Sequence, residues 1–128
     1  MSLGIADTTV FIARESGRPL LSEALPDQIA VSVITIGELR AGVLAAADLE
    51  TRDRRLATMT LALALQPIPI DDPVDEAWAR LRVLLRESGQ RMPVNDSWIA
   101  ATAMSLGVAV ITQDADYVQV AGLEVVTV

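Results

Sequence analysis

Val108-Ala109-Val110-Ile111-Thr112-Gln113-Asp114-Ala115-Asp116 decides the fold. Residues 108–111 form an unbroken apolar run of strand length, and the run ends in a polar turn carrying two acids. Working outward, the same pattern recurs. Residues 4–6 read as a short buried strand ended by Asp7-Thr8-Thr9, residues 29–32 as a second strand, and residues 123–126 as a last one. Between them lie helical patterns. Residues 10–15 follow Asp7-Thr8-Thr9, whose side chains can cap a helix. Gly17, Pro19 and Pro26 set off a short helical region at 20–25. Residues 35–44 read as helix, with Thr35 and Glu38 spaced as a capping box. Asp48 can cap a longer helix over 49–65, with Leu49, Leu56, Met59 and Leu63 on one side. Ile68 and Ile70, among Pro67, Pro69 and Pro73, make room for a brief strand. Pro73 opens a helix whose Val74, Trp78, Leu81 and Leu85 follow the spacing of a buried stripe, and Gly89 ends it. Asn95 can cap a helix over 96–106, closed by Gly107. Strands alternating with helices imply a parallel sheet covered by helices on both faces, a three-layer α/β/α fold.

Composition narrows the chemistry. A chain of 128 residues, 52% hydrophobic, suits one domain over residues 1–128 with a sizeable core. It has no apolar run long enough to span a membrane, and Met1-Ser2-Leu3-Gly4 carries no pattern of a secretory signal, so a cytoplasmic protein is expected. There is no Cys, which excludes disulfides, zinc-thiolate sites and cysteine nucleophiles. There is no His, which removes the usual general base near neutral pH and every imidazole ligand. All ten basic residues are Arg, so Schiff-base chemistry and a Walker A loop are excluded as well. The net charge of −7 argues against gripping a phosphate backbone by bulk electrostatics, but not against a nuclease whose metal meets the phosphate. Without an organic cofactor, hard chemistry here rests on Asp, Glu, Ser, Thr, Arg and a metal held by oxygen.

In open parallel sheets, sites form beyond the carboxyl ends of the strands. Asp7 follows the strand at 4–6, and Asp114 and Asp116 follow the strand at 108–111. Asp96 opens the helix feeding that strand, and Glu38 lies one turn into the helix after the strand at 29–32. Four carboxylates from distant parts of the chain thus meet at one edge. At ~4 Å and an effective dielectric of about 20, each pair repels by roughly 4 kcal/mol. Such a cluster persists when protons or a cation neutralise it, and hard oxygen donors select Mg²⁺ or Mn²⁺. Each acid also has a purely structural role available: Asp7 as a helix cap, Glu38 in the capping box, Asp96 against a helix dipole, Asp114 in an Asx turn. Those roles explain the acids singly, not their shared edge. Trp78 and Trp98 read as core residues, and Arg52, Arg54 and Arg55 as a solvated helix face.

Four blocks in order carry a resemblance. Residues 5–12, centred on Asp7-Thr8-Thr9, resemble the opening Asp-[Ser/Thr]-[Ser/Thr] motif of PIN-domain ribonucleases, most closely the VapC toxins of bacterial type II toxin–antitoxin pairs. Ser32, Thr35, Glu38, Leu39 and Gly42 resemble the family's Ser-x-x-Thr-x-x-Glu-Leu-x-x-Gly segment. Asp96, Ile99, Ala100, Ala101 and Ala103 resemble its Asp-x-x-Ile-Ala-Ala-x-Ala helix, and Thr112, Asp114, Asp116 and Tyr117 its Thr-x-[Asp/Asn]-x-Asp-[Phe/Tyr] block. Thr9, where Ser also occurs, and the bulky Trp98 are minor departures.

The resemblance implies a metal-dependent endoribonuclease that inhibits translation or growth. Its acidic quartet would be Asp7, Glu38, Asp96 and Asp114 around one or two Mg²⁺ or Mn²⁺ ions. Asp7 and Asp96 would be the main ligands, Asp114 would ligate a second ion or a water, and Glu38 would orient the attacking water. Thr8 and Thr112 would support by hydrogen bonds, and Asp116 would be a supporting or structural member. Arg14, Arg18 and Arg40 are candidate RNA contacts. The resemblance also implies a VapB-like antitoxin partner and a homodimer, for which the helix over 49–65 offers apolar surface. Receiver domains and haloacid-dehalogenase-type phosphatases also join clustered acids to such a sheet, but both need a Lys, and the latter needs Asp-x-Asp-x-Thr. The remaining rival is a PIN-like module that binds RNA or antitoxin without cleaving.

Overall fold

The computed structural model describes residues 2–128; Met1, read above as part of the N-terminus, lies outside the described residues. The chain runs β1 (Leu3–Ala6), α1 (Thr8–Ser16), a single 3₁₀ turn (Ser22–Ala24), β2 (Gln28–Ala30), α2 (Val33–Leu44), α3 (Leu49–Leu63), α4 (Asp72–Glu87), α5 (Val94–Leu106), β3 (Ala109–Thr112) and β4 (Val125–Thr127). The four strands are all parallel, in the order β2-β1-β3-β4. The chain leaves β1 for β2 on one side and later returns to β3 on the other. That reversal puts the crevice of an open parallel sheet at the carboxyl ends of β1 and β3.

Alternation along the two central strands sorts the core. Ile5 and Val110 point to the face covered by α4 and α5, where they meet Leu81, Leu85, Ile99, Ala100 and Ala103. Ala6, Ala109 and Ile111 point to the opposite face, against Val10 of α1 and Val128. A third cluster, Val31, Ile36, Leu39, Met59 and Ala62, fastens α2 and α3 together. Gly4 shows how closely the central strands and their side chains approach. A Cβ there would lie 2.6 Å from Ile111 Cγ1, so no larger residue fits without displacing a fully packed side chain. Gly107 closes α5 in the left-handed conformation, φ +65°, and turns the chain directly into β3.

The three-layer α/β/α expectation is met, with several local differences. The strand expected over 29–32 spans Gln28–Ala30, because Ser32 is the N-cap of α2 and its hydroxyl accepts the Ile34 N–H. Thr35 and Glu38 therefore lie inside α2 and form no capping box. The brief strand at Ile68 and Ile70 reduces to one bridge between Ser32 and Ile68. Asn95 is within α5, which begins after Pro93 with no side-chain cap. In α3 the buried residues are Thr58, Met59 and Ala62, while Leu49, Leu56 and Leu63 are exposed. Trp78 and Trp98 are half-buried rather than core: their rings stack 4.3 Å apart at 5°, with the Arg82 guanidinium 5.3 Å from the Trp78 ring and Trp78 Nε1 donating to Ser97 Oγ at 3.0 Å. Among the described residues, no helix is long and apolar enough to cross a membrane.

Candidate active site at the carboxyl edge of the sheet

Asp7 is the centre of the edge. It is the residue after β1 and the N-cap of α1, and it is only 3% exposed. Its backbone N–H donates to Ile111 O at 2.9 Å, continuing the pairing of β1 with β3. Its carboxylate is held from both sides. Oδ1 accepts the Thr9 N–H at 3.0 Å and the Thr9 hydroxyl, and Oδ2 accepts the Thr112 hydroxyl at 2.5 Å. The same hydroxyls accept in turn: Thr9 Oγ1 from the Gln113 N–H at 3.0 Å, and Thr112 Oγ1 from the Asp114 N–H at 3.1 Å. Two threonines therefore staple the turn after β3 around a buried acid. Burial pushes the Asp7 carboxyl above its ordinary value, and the donated hydrogen bonds oppose that rise only in part.

Glu38 reaches the same edge from α2. The Thr8 hydroxyl lies 2.6 Å from Glu38 Oε1 and 3.1 Å from the Thr35 hydroxyl. Thr8 has one proton, and the shorter contact to a charged acceptor takes it.

Asp96 sits in the first turn of α5, half-buried. Its carboxyl is pushed up to about 6, first by burial and then by the negative charges of Asp7, Glu38 and Asp114. Asp96 thus feels the charges of the other three predicted acids. Tyr117 stands behind it, with its hydroxyl 3.5 Å from the Asp96 carbonyl; burial and the charges of Asp96, Asp7 and Asp114 raise its pKa well above the phenol range. Asp114 is exposed in an Asx turn, its Oδ1 accepting the Asp116 N–H at 2.9 Å. Asp116 is exposed and is not among the charges acting on Asp96.

The other candidates lie further out. Arg14 is exposed in the last turn of α1 and Arg18 beyond its end. At 1.5 Å per residue, Arg14 is about 10 Å along the helix from Asp7. Arg40 is exposed on α2. Arg55, read as part of a solvated face, is instead half-buried between α3 and α2 and donates from Nη1 to Gly42 O at 2.7 Å. Thr9, Thr35, Tyr117 and Arg55 are residues near the site that the sequence reading left out of the candidate site. A hydroxyl two positions after Asp7 was the available signal for Thr9, but no linear signal marks Arg55.

Among the described residues, no three acids are already gathered closely enough to hold an ion between them. Mutual repulsion of roughly 4 kcal/mol per close pair gives the physical reason for that spread. The donor set itself fits a hard divalent cation. It is all carboxylate oxygen, one member is rigidly oriented by hydroxyl and amide donors, and another is a half-buried acid facing three like charges.

An open parallel α/β sheet with an all-oxygen acidic centre at its switch point defines the class, and the PIN-domain model matches residues 5–123. The chain belongs to the PIN-domain family and, within it, to the VapC group. It is 50% identical to Ribonuclease VapC5 of Mycobacterium tuberculosis over 119 residues, covering 93% of this chain and 88% of that protein. It is 48% identical to Ribonuclease VapC4 of the same organism, covering 97% and 95%. The crystal structure of VapBC-5, a VapBC toxin–antitoxin system of Mycobacterium tuberculosis, matches with a TM-score of 0.90 at 44% identity over 100% of both chains. FitAcB from Neisseria gonorrhoeae matches with a TM-score of 0.74 at 26% identity, covering 96% of this chain and 95% of that one.

Proposed function

We propose that this chain is a divalent-metal-dependent endoribonuclease, the toxin of a type II toxin–antitoxin pair, built as one domain over residues 1–128 and acting in the cytoplasm. One observation carries the reading: Asp96 is held half-buried against the charges of Asp7, Glu38 and Asp114, an arrangement that a cation stabilises. Asp7, Asp96 and Asp114 are the residues that would hold Mg²⁺ or Mn²⁺. Bound there, the ion supplies Lewis acidity toward a phosphodiester and acidifies a water.

The chain's own residues do the rest. Thr9 and Thr112 fix both oxygens of Asp7, so the principal ligand is oriented before any ion arrives. Glu38, fixed by the Thr8 proton, orients the attacking water and takes its proton. Asp116 supports by closing the turn that carries Asp114. Arg14, Arg18 and Arg40 are exposed cations available to the flanking RNA. The similarity to named ribonucleases and to the VapBC-5 toxin–antitoxin structure supports RNA as substrate and a VapB-like antitoxin as partner. A second copy of the chain would cover the exposed Leu49, Leu56, Leu61 and Leu63 of α3.

Sequencing RNA 5′ ends after brief induction tests the reading. Wild type is expected to create discrete new ends and arrest growth, and Asp7→Asn to do neither. Growth arrest by both proteins without new ends would replace this reading with a non-cleaving binding module.

A further inference from the structure

Beside the acidic edge, α1, α2 and α3 enclose a cavity of about 260 Å³ lined by Thr8, Ile12, Glu15, Glu38, Leu39, Gly42 and Arg55. Thr8 and Glu38 belong both to its lining and to the acidic edge. Its size is just below the roughly 300–1,000 Å³ of drug-sized ligand sites, with room for one planar heterocycle. Ile12 and Leu39 supply apolar surface. Arg55 and Glu15 supply opposite hydrogen-bonding characters, and no ion pair closes between them among the described residues. Among the described residues, Arg55 is fixed by one Nη1 bond to Gly42 O, which leaves its other N–H groups able to donate. The Glu15 side chain is 15% exposed. Among the described residues its one cationic contact is an ion pair with Arg54 Nε at 3.9 Å, too long for a hydrogen bond, so its oxygens remain able to accept from a ligand.

We infer that this cavity is a guanine-selecting subsite for a nucleotide flanking the cleaved bond. Guanine carries paired acceptors, O6 and N7, on one edge and paired donors, N1–H and N2–H₂, on the next. A guanidinium matches the first edge and a carboxylate matches the second. Adenine and cytosine lack the N1–H and N2–H₂ pair, and an unpaired Glu15 would discriminate against them. Single-stranded RNA can splay a base into such a pocket. The inference rests on the ribonuclease reading above, and it assigns base selection to Glu15 and Arg55, two residues outside the acidic quartet.

The test separates the two claims by measuring binding without chemistry. The ¹⁵N-labelled full chain is titrated with guanosine, inosine, 7-deazaguanosine and adenosine while the Thr8, Leu39 and Gly42 amides are followed by NMR. Guanosine is expected to shift these amides, with at least about fivefold weaker binding for inosine, which lacks the N2 amino group, and for 7-deazaguanosine, which lacks N7. Glu15→Gln, nearly isosteric, is expected to erase the guanosine–inosine difference. Equal shifts by all four nucleosides, or none at these amides, would overturn the subsite even if the protein cleaves RNA. Shifts at these amides only with an antitoxin peptide would assign the cavity to the partner instead. In a parallel digest of a randomised single-stranded RNA pool, guanosine is expected at one fixed position beside the cut. Cleavage without that preference defeats the subsite alone, whereas selective guanosine binding without cleavage defeats the ribonuclease reading alone.

Discussion

The Thr8 hydroxyl lies 2.6 Å from Glu38 Oε1 although the two residues are 30 apart in sequence. The first turn of α1 thus holds a side chain of α2, and the pair also lines the neighbouring cavity. Thr8→Val keeps the shape and deletes the proton. It is expected to lower kcat about 10–100-fold with a small change in melting temperature, while Thr8→Ser retains most activity. Steady-state cleavage of a short RNA with Mn²⁺ reads this, and equal kcat for the Val variant and wild type would remove Glu38 orientation from the mechanism.

Asp96 gives a pH dependence whose sign follows from its environment. Its folded-state pKa, about 6, is above the ordinary 3.8, so between those values the folded chain binds more protons than the unfolded one. The metal-free protein is therefore expected to gain stability as pH falls from about 6 toward 4, the reverse of a salt-bridged carboxylate. Asp96→Asn should flatten that limb in melting curves recorded with EDTA. A wild-type protein that loses stability over the same window, in parallel with the variant, would contradict the assignment.

The same repulsion predicts a trade between function and stability. Asp96→Asn removes a charge from the edge and is expected to raise the melting temperature of the metal-free chain while lowering Mn²⁺ affinity. Calorimetric titration with Mn²⁺ and differential scanning calorimetry without it test the two halves. Unchanged Mn²⁺ affinity would place the ion elsewhere.

Packing between β1 and β3 yields a prediction about the fold alone. Gly4→Ala puts a Cβ 2.6 Å from Ile111 Cγ1 and 2.7 Å from Cδ1, where Ile111 is 1% exposed. Overpacking of this kind costs about 1–3 kcal/mol. Ile111→Val removes Cδ1, so the double variant is expected to recover part of the loss in urea melts; strict additivity of the two changes would argue that the strands separate instead.

What could be read from the sequence depended on the range of each signal. The apolar runs of β1 and β3 and the caps Asp7 and Asp48 are local signals, and the structure has them where the sequence put them, whereas the cap Asp71 went unread beside Pro73. Thr35 reads from sequence as the cap of α2, but Ser32, which reads as the end of a strand, takes that place three residues earlier. Ser32 caps because α2 begins directly after the bridge between Ser32 and Ile68. Of the side marked by Leu49, Leu56, Met59 and Leu63 in α3, Met59 alone is buried, and Thr58 and Ala62 complete the inside of that helix. Asn95 had the right chemistry for a cap but sits one residue inside the helix. Arg55 was illegible because its role depends on the approach of α3 to Gly42, which no local pattern encodes.

The most direct measurement is the cleavage rate of single-stranded RNA by Asp96→Asn against wild type at saturating Mn²⁺, with the fold of both checked by circular dichroism. The account predicts a correctly folded variant without measurable cleavage beside an active wild type that EDTA silences. A variant cutting at the wild-type rate would contradict it.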